Sequence, residues 1–425
     1  MIHSIDTYGL YKSEKRFSRT VRVQVTMKDT VDPDFLDTAV NTAIKRYPYF
    51  SVKVRLDEDG SYVLEPNHKK VVCIPTQRDI PPLGCKAVNG HLLYIDYCGK
   101  TIYFNISHSL CGGRGFMPWV MTTVYQYVCD KYNVTPYAPG IQKSDSELLP
   151  TEADEPNLDM LTDESPVYQY KSKKPVVMIS DYMNGLFNPF KRYPNYRILT
   201  VEQKDVMAFA KKYDCSVACL FLIAMAKAMD KVLPEKHSVI GGEIAHNPRE
   251  SVGLPNSHSD FLSHVHIDYD REALSSDIRK LGLMTRGQMI LQTDPSVSHV
   301  EIRKLFILYD EIDRIKGVKA KRKYMSQNDL SSGKDAEHGT YYVNYTGQLD
   351  WGELSDYVRN YVIIVEGHLL LEITSMSDKL FICFMQLIRE DKYVMAFKDV
   401  LLEMGIPCKM SKPHSKHQAK HLLPQ

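Results

Sequence analysis

Ser107-His108-Ser109-Leu110-Cys111-Gly112-Gly113 closes an alternating strand and opens a helix. A histidine placed where a strand ends is well held for proton transfer. Neutral imidazole titrates close to working pH and can take a proton and return it. Residues 91–97 and 101–107 read as two strands joined around Cys98-Gly99-Lys100, so a hairpin delivers His108. Downstream, Phe116, Trp119, Val120, Thr123, Val124, Tyr127 and Val128 recur at helical spacing over about 115–131. An aromatic stripe of this kind is read as core.

Further out, residues 20–27 (Thr-Val-Arg-Val-Gln-Val-Thr-Met) alternate strictly and predict a half-buried strand. Asp32-Pro33 then starts a helix, with Asp as N-cap and Pro in the first turn. Phe35, Leu36, Ala39, Val40, Ala43, Ile44 and Tyr47 form its stripe, and Pro48 stops it. Residues 51–56 and 62–64 flank Asp57-Glu58-Asp59-Gly60 and predict a second hairpin.

Prolines 136, 139, 150, 156, 166 and 175 and an acidic cluster (Glu152, Asp154, Glu155, Asp159, Asp163, Glu164) make 133–190 irregular. The expected division is an N-terminal lobe over 1–135, a linker over 136–190, a C-terminal lobe over 191–408 and a flexible tail over 409–425. In the second half, strands are expected at 196–201, 238–244, 265–269, 340–345, 360–366, 368–376 and 380–386. Helices are expected at 202–213, 216–232, 272–291, 300–315 and 393–404. Trp351 is expected to pack on the late strand.

The chain has 425 residues, 44% apolar and 25% charged, as a soluble globular protein would. Lys and Arg number 53 against 52 for Asp and Glu, which gives no electrostatic reason to expect nucleic acid. The basic cluster from Lys319 to Lys323 reads as a solvated face or loop. No apolar run approaches the roughly 20 residues needed to span a bilayer. With no signal-peptide layout at Met1, a cytoplasmic location is expected. The nine cysteines form no CxxC pair, and Cys215 and Cys219 lack further ligands, so no metal site is expected there. His414, His417 and His421 are read as part of an exposed tail, not a metal site.

Four motifs occur in a telling order. They are Arg46-Tyr47-Pro48-Tyr49-Phe50, His108 with the Gly112-Gly113 turn, His246-Asn247-Pro248-Arg249, and Asn344-Tyr345-Thr346-Gly347. In this order the chain resembles the CoA-dependent acyltransferase superfamily over about 5–408. That superfamily holds chloramphenicol acetyltransferase and the condensation domains of nonribosomal peptide synthesis. The closest likeness is to bacterial alcohol acetyltransferase-like proteins. The resemblance implies an α/β (α+β) fold of two chloramphenicol-acetyltransferase-like lobes. Each would be a mixed sheet covered by helices, with a tunnel between them.

The superfamily motif is His-xxx-Asp-Gly, often preceded by a second histidine. His108 and Gly113 match it. Gly112 stands where the acid would be, and Ser107 where the second histidine would be. In the family the acid pairs with an arginine and holds the histidine loop. Asp260, a short loop beyond Arg249, is the candidate replacement, expected near Arg249 or Arg46. Asn247 and Arg249 match the second-lobe motif, and Gly347 the late strand.

The resemblance implies acyl transfer from acyl-CoA or a pantetheine thioester, as co-substrate, to a small alcohol or amine. His108 would be the general base, and Asn344 or backbone amides would be the oxyanion donors. The small-molecule acceptor is one expected partner and an acyl carrier protein another. The other reading is a non-catalytic relative that binds an acyl thioester, a carrier protein or a small ligand, since fold does not fix function. Cys111 beside His108 reads as a packed thiol and not as a nucleophile.

Overall fold

Alternation at Thr20–Met27 builds β1, whose odd-side valines, Val21, Val23 and Val25, are fully buried. In this computed structural model the described residues are 5–12, 19–77, 80–171, 195–233, 239–328, 339–365, 367, 369–386, 390–415 and 421–424. The even side of β1 is covered too. Arg22 is buried there in a bidentate pair with Asp96 (2.8 and 3.0 Å) and donates to Asn105 (2.6 Å). A buried guanidinium persists only when its donors are matched in this way.

A short helix α1 (Ile5–Tyr11) precedes β1, and α2 (Pro33–Ala43) follows it. Asp32 caps α2 by accepting from Asp34 N and Phe35 N. Phe35 itself is 39% exposed, so the apolar stripe begins at Leu36. The hairpin β2 (Val52–Leu56) and β3 (Tyr62–Pro66) stands apart as its own two-stranded sheet, with Gly60 in the left-handed region that its turn needs. Next come β4 (Cys73–Pro75), β5 (Leu93–Cys98), β6 (Thr101–Ser107) and the long helix α3 (Gly113–Tyr132). Helix α3 is buried nearly all round because the linker covers its far side. Ala138 and Ile141 are buried, and Thr122 donates to Gln142 O.

The second half supplies β7 (Asn195–Glu202), β8 (Val239–His246), β9 (Ser263–Asp270), β10 (Tyr341–Gln348), β11 (Val358–Ile364), β12 (Leu369–Met376), β13 (Lys379–Gln386), β14 (Cys408–Met410) and β15 (His414–Ser415). The larger sheet runs β14-β7-β13-β12-β10-β8-β9, with β15 also on β7. In it β10 is parallel to β8 and β12, so the sheet is mixed. Helix Val217–Val232, capped by Ser216, buries Leu220, Phe221, Leu222 and Ile223 against it. Each such side chain contributes about 1.5–3 kcal/mol.

The smaller sheet runs β11-β1-β6-β5-β4. Its edge strand β11 comes from the second half of the chain, with Val23 opposite Ile363. The sheets therefore do not follow a simple split of the chain, although mixed sheets covered by helices are what the fold class required. Trp351 packs on Tyr361 of β11, with rings 5.3 Å apart.

Three local expectations differ from the structure. The helix expected at 272–291 is broken into Arg271–Ser275 and Ile278–Gln292, because Asp277 caps a new start by accepting from Arg279 N and Lys280 N. The basic run at 319–323 lies in a helix, Val318–Asn328. Its Lys321 is buried 3.7 Å from Asp313 instead of being solvated. The tail is not loose where it is described. Cys408–Met410 and His414–Ser415 pair with β7, Leu422 N donates to Leu83 O, and His421 reaches Ser107. His417 lies outside the described residues. None of the nine cysteines, all described, is in a disulfide. Among the described residues no group of His, Cys, Asp and Glu is arranged to hold a metal, and no helix is long and apolar enough to cross a membrane.

Candidate active site

His108 sits one residue past β6, and its position is set by backbone. Its N–H donates to Arg19 O at the start of β1 (2.7 Å), and Leu110 N closes a turn onto Ser107 O. Leu110 and Cys111 are fully buried and anchor the turn. Gly112 then caps α3 in extended backbone, its carbonyl accepting from Phe116 N.

A cavity of about 610 Å³ opens beside this turn. Its wall includes His108, Gly112 and Gly113 from the first half and Asn247, Arg249, Asn344 and Gly347 from the second. All seven residues singled out in the sequence therefore line one space. Three strands supply four of them. β6 brings His108, β8 brings Asn247, and β10 brings Asn344 and Gly347. At Gly347 the pairing of β10 with β12 shifts register, and φ of 74° makes glycine the residue that fits.

Arg249 is buried and directs two of its donors to one loop and a third to Asn247. Nε donates to Ser257 O (2.8 Å), Nη2 to Ser259 O (2.5 Å) and Nη1 to Asn247 Oδ1 (2.8 Å). That loop presents Asp260, whose Oδ2 lies 3.0 Å from His108 Nδ1. Both side chains are about four-fifths covered, with 22% and 20% left open. Burial works against a charged ring, but the Asp260 carboxylate outweighs it and holds His108 above the usual imidazole range. Burial likewise opposes the charged carboxyl, and His108, Arg19 and Arg249 together hold Asp260 below its usual range.

Arg46 does not meet Asp260. It forms a bidentate pair with Glu152 (2.8 Å twice), and Tyr49 OH also donates to that carboxylate (2.5 Å). The Glu152 carbonyl accepts from His258 N (3.1 Å) and lies 2.8 Å from His258 Nδ1, so the linker is tied to the Asp260 loop. Tyr49 stacks on the His258 ring at 3.9 Å. Glu152, one of the acidic cluster that marks the irregular linker in the sequence, is buried here.

Asn344 is engaged on both sides. Its Oδ1 accepts from Ala245 N (3.4 Å), and its Nδ2 donates to Glu372 Oε1 (2.8 Å), leaving one amide hydrogen. Glu372, on the cavity wall, carried no signal in the sequence: it interrupts the apolar run of β12 (Leu-Leu-Leu-Glu-Ile-Thr). Burial pushes its carboxyl up to about 7, against the opposing pull of Asn344 and His108.

No family model and no curated protein matches the chain. Solved structures do. Trichothecene 15-O-acetyltransferase TRI3 of Fusarium sporotrichioides matches with a TM-score of 0.59 at 10% identity, over 95% of both chains. TRI101 of F. sporotrichioides, complexed with coenzyme A and T-2, matches at 0.55 and 8% identity, over 95% of this chain and 98% of that one. The first condensation domain of the CDA synthetase matches at 0.55 and 12%, over 95% of both chains. At these identities the likeness is one of fold, over nearly the whole length. The fold expected from the sequence resemblance is the one these structures share.

Proposed function

We propose that this chain is an acyltransferase that moves an acyl group from a CoA or pantetheine thioester to a small alcohol or amine. The observation that carries the reading is the convergence of His108, Asn247, Arg249, Asn344 and Gly347 on one cavity, in a fold shared with an O-acetyltransferase and a condensation domain.

His108 is the general base. Its Nδ1 is buried 3.0 Å from Asp260 Oδ2, so Nε2 is the nitrogen left for the acceptor. The acceptor O–H or N–H gives its proton to Nε2 as its oxygen or nitrogen bonds to the thioester carbon. When the C–S bond breaks, the same proton passes to the departing sulfur and free thiol results. Base catalysis of this kind contributes roughly 10²- to 10⁴-fold. The oxyanion formed between these steps takes the remaining Asn344 N–H or nearby backbone amides, each worth roughly 10²- to 10³-fold. The donor can be free CoA or a carrier-bound pantetheine, and the carrier protein is then the second partner.

The test is release of free thiol from a panel of acyl-CoAs in the presence of small alcohols and amines. Wild type is expected to release thiol in an acceptor-dependent way, and His108→Ala to lose at least a hundredfold. Acceptor-dependent release that survives His108→Ala removes the proposed base. A thioester that binds without any release favours a binding protein on this fold.

A further inference from the structure

Gly112 has φ −79° and ψ 173°, ordinary extended backbone open to any residue. What excludes a side chain is occupation. A Cβ at Gly112 would lie 2.7 Å from Asp260 Oδ1. One turn further along α3, a Cβ at Gly115 would collide with the carbonyl oxygen of His258. Two glycines three residues apart thus let the 257–260 loop lie flat on the first turn of the helix. Arg249 fixes that loop by gripping the carbonyls of Ser257 and Ser259. The carboxylate delivered there stands at once against His108 Nδ1 and in the space a side chain at 112 would fill.

We propose that Asp260 is the acid of this site, a positioning residue supplied by the 257–260 loop in place of one at position 112, which holds the His108 ring with Nε2 toward the substrate. This rests on the reading of His108 as the general base. It also reverses the expectation that follows from the motif alone. Putting Asp at 112 does not repair the site but damages it, because two carboxylates would compete for one volume beside one imidazole. Helix α3 adds to the preference for a single anion there, since its N-terminus is the positive end of a 20-residue dipole.

Three variants of the full chain test this: Asp260→Asn, Gly112→Asp, and the exchange that combines Gly112→Asp with Asp260→Gly. Each is read by histidine titration in NMR and by the pH profile of kcat/KM. In Asp260→Asn the His108 midpoint is expected to fall by about one unit or more. Its kcat should drop roughly 10- to 100-fold, as for a mis-set base, with KM little changed. Gly112→Asp alone should lose a similar factor, and the exchange should recover at least tenfold over it. Should Asp260→Asn not fold, Asp260→Glu replaces it: the midpoint stays raised while kcat falls. An unmoved His108 midpoint in Asp260→Asn, or wild-type behaviour of Gly112→Asp, overturns the proposal. The NMR midpoint needs no turnover, so a wild type that releases no thiol ends the acyl-transfer reading and still leaves the role of Asp260 decided.

Discussion

At the scale of single residues, Glu372 makes the most of its surroundings. An unfolded glutamate titrates near ~4.3, while burial in β12 moves this one up to about 7. Between those values the folded chain binds more protons than the unfolded one, so this group makes stability fall as pH rises. The full swing is on the order of 3 kcal/mol. Glu372→Gln keeps an acceptor for Asn344 and removes the swing. It is expected to be more stable than wild type at pH 8 and close to it at pH 5, by urea unfolding. The same difference at both pH values would refute the assignment. Residues of this kind were the least legible in the sequence. A lone Glu in an apolar strand, or Glu152 in an acidic linker, looks the same whether it is solvated or buried, and only long-range packing decides.

At the scale of elements, local signals did most of the work. The alternation of Thr20–Met27, the Asp32-Pro33 cap and the Gly60 turn each fix φ, ψ or a buried face within a few residues. Where expectation and structure part, another local rule or a distant partner won. Asp277 caps a helix where a continuous one was expected, and β7 and Ser107 give the tail something to pair with. The start of α3 is tightly constrained by its neighbour. Gly115→Ala would drive a methyl group into the His258 carbonyl and is expected to cost roughly 1–3 kcal/mol, as overpacking does. Gly113→Ala, with nothing within 4 Å of the new Cβ, should cost clearly less. Thermal unfolding of the two variants makes the comparison, and equal costs would show that the loop is not seated on this turn.

At the scale of the whole molecule, the four ordered motifs were legible and the way the sheets share strands was not. β1 has β6 on one side and β11 on the other, and nothing in the valines of β1 names a partner from the far half of the chain. This has a mechanical outcome. A fragment of residues 1–190 leaves the β1 edge bare and should not fold alone. Mixed with residues 191–425, it should regain ordered signals. Circular dichroism and size exclusion of the separate and mixed fragments test this, and a monomeric, folded fragment 1–190 would contradict it.

The same strand exchange sets a clock on biosynthesis. The β1 edge leaves the ribosome about 330 residues before β11, its covering strand. At roughly 5–20 residues per second, the nascent chain carries an unpaired apolar edge for about 15 to 65 s. Such an edge is a template for pairing with other chains. Yield in a cell is therefore governed less by final stability than by what shields β1 during that interval, and slower, cooler synthesis with ample chaperone is the condition this topology favours.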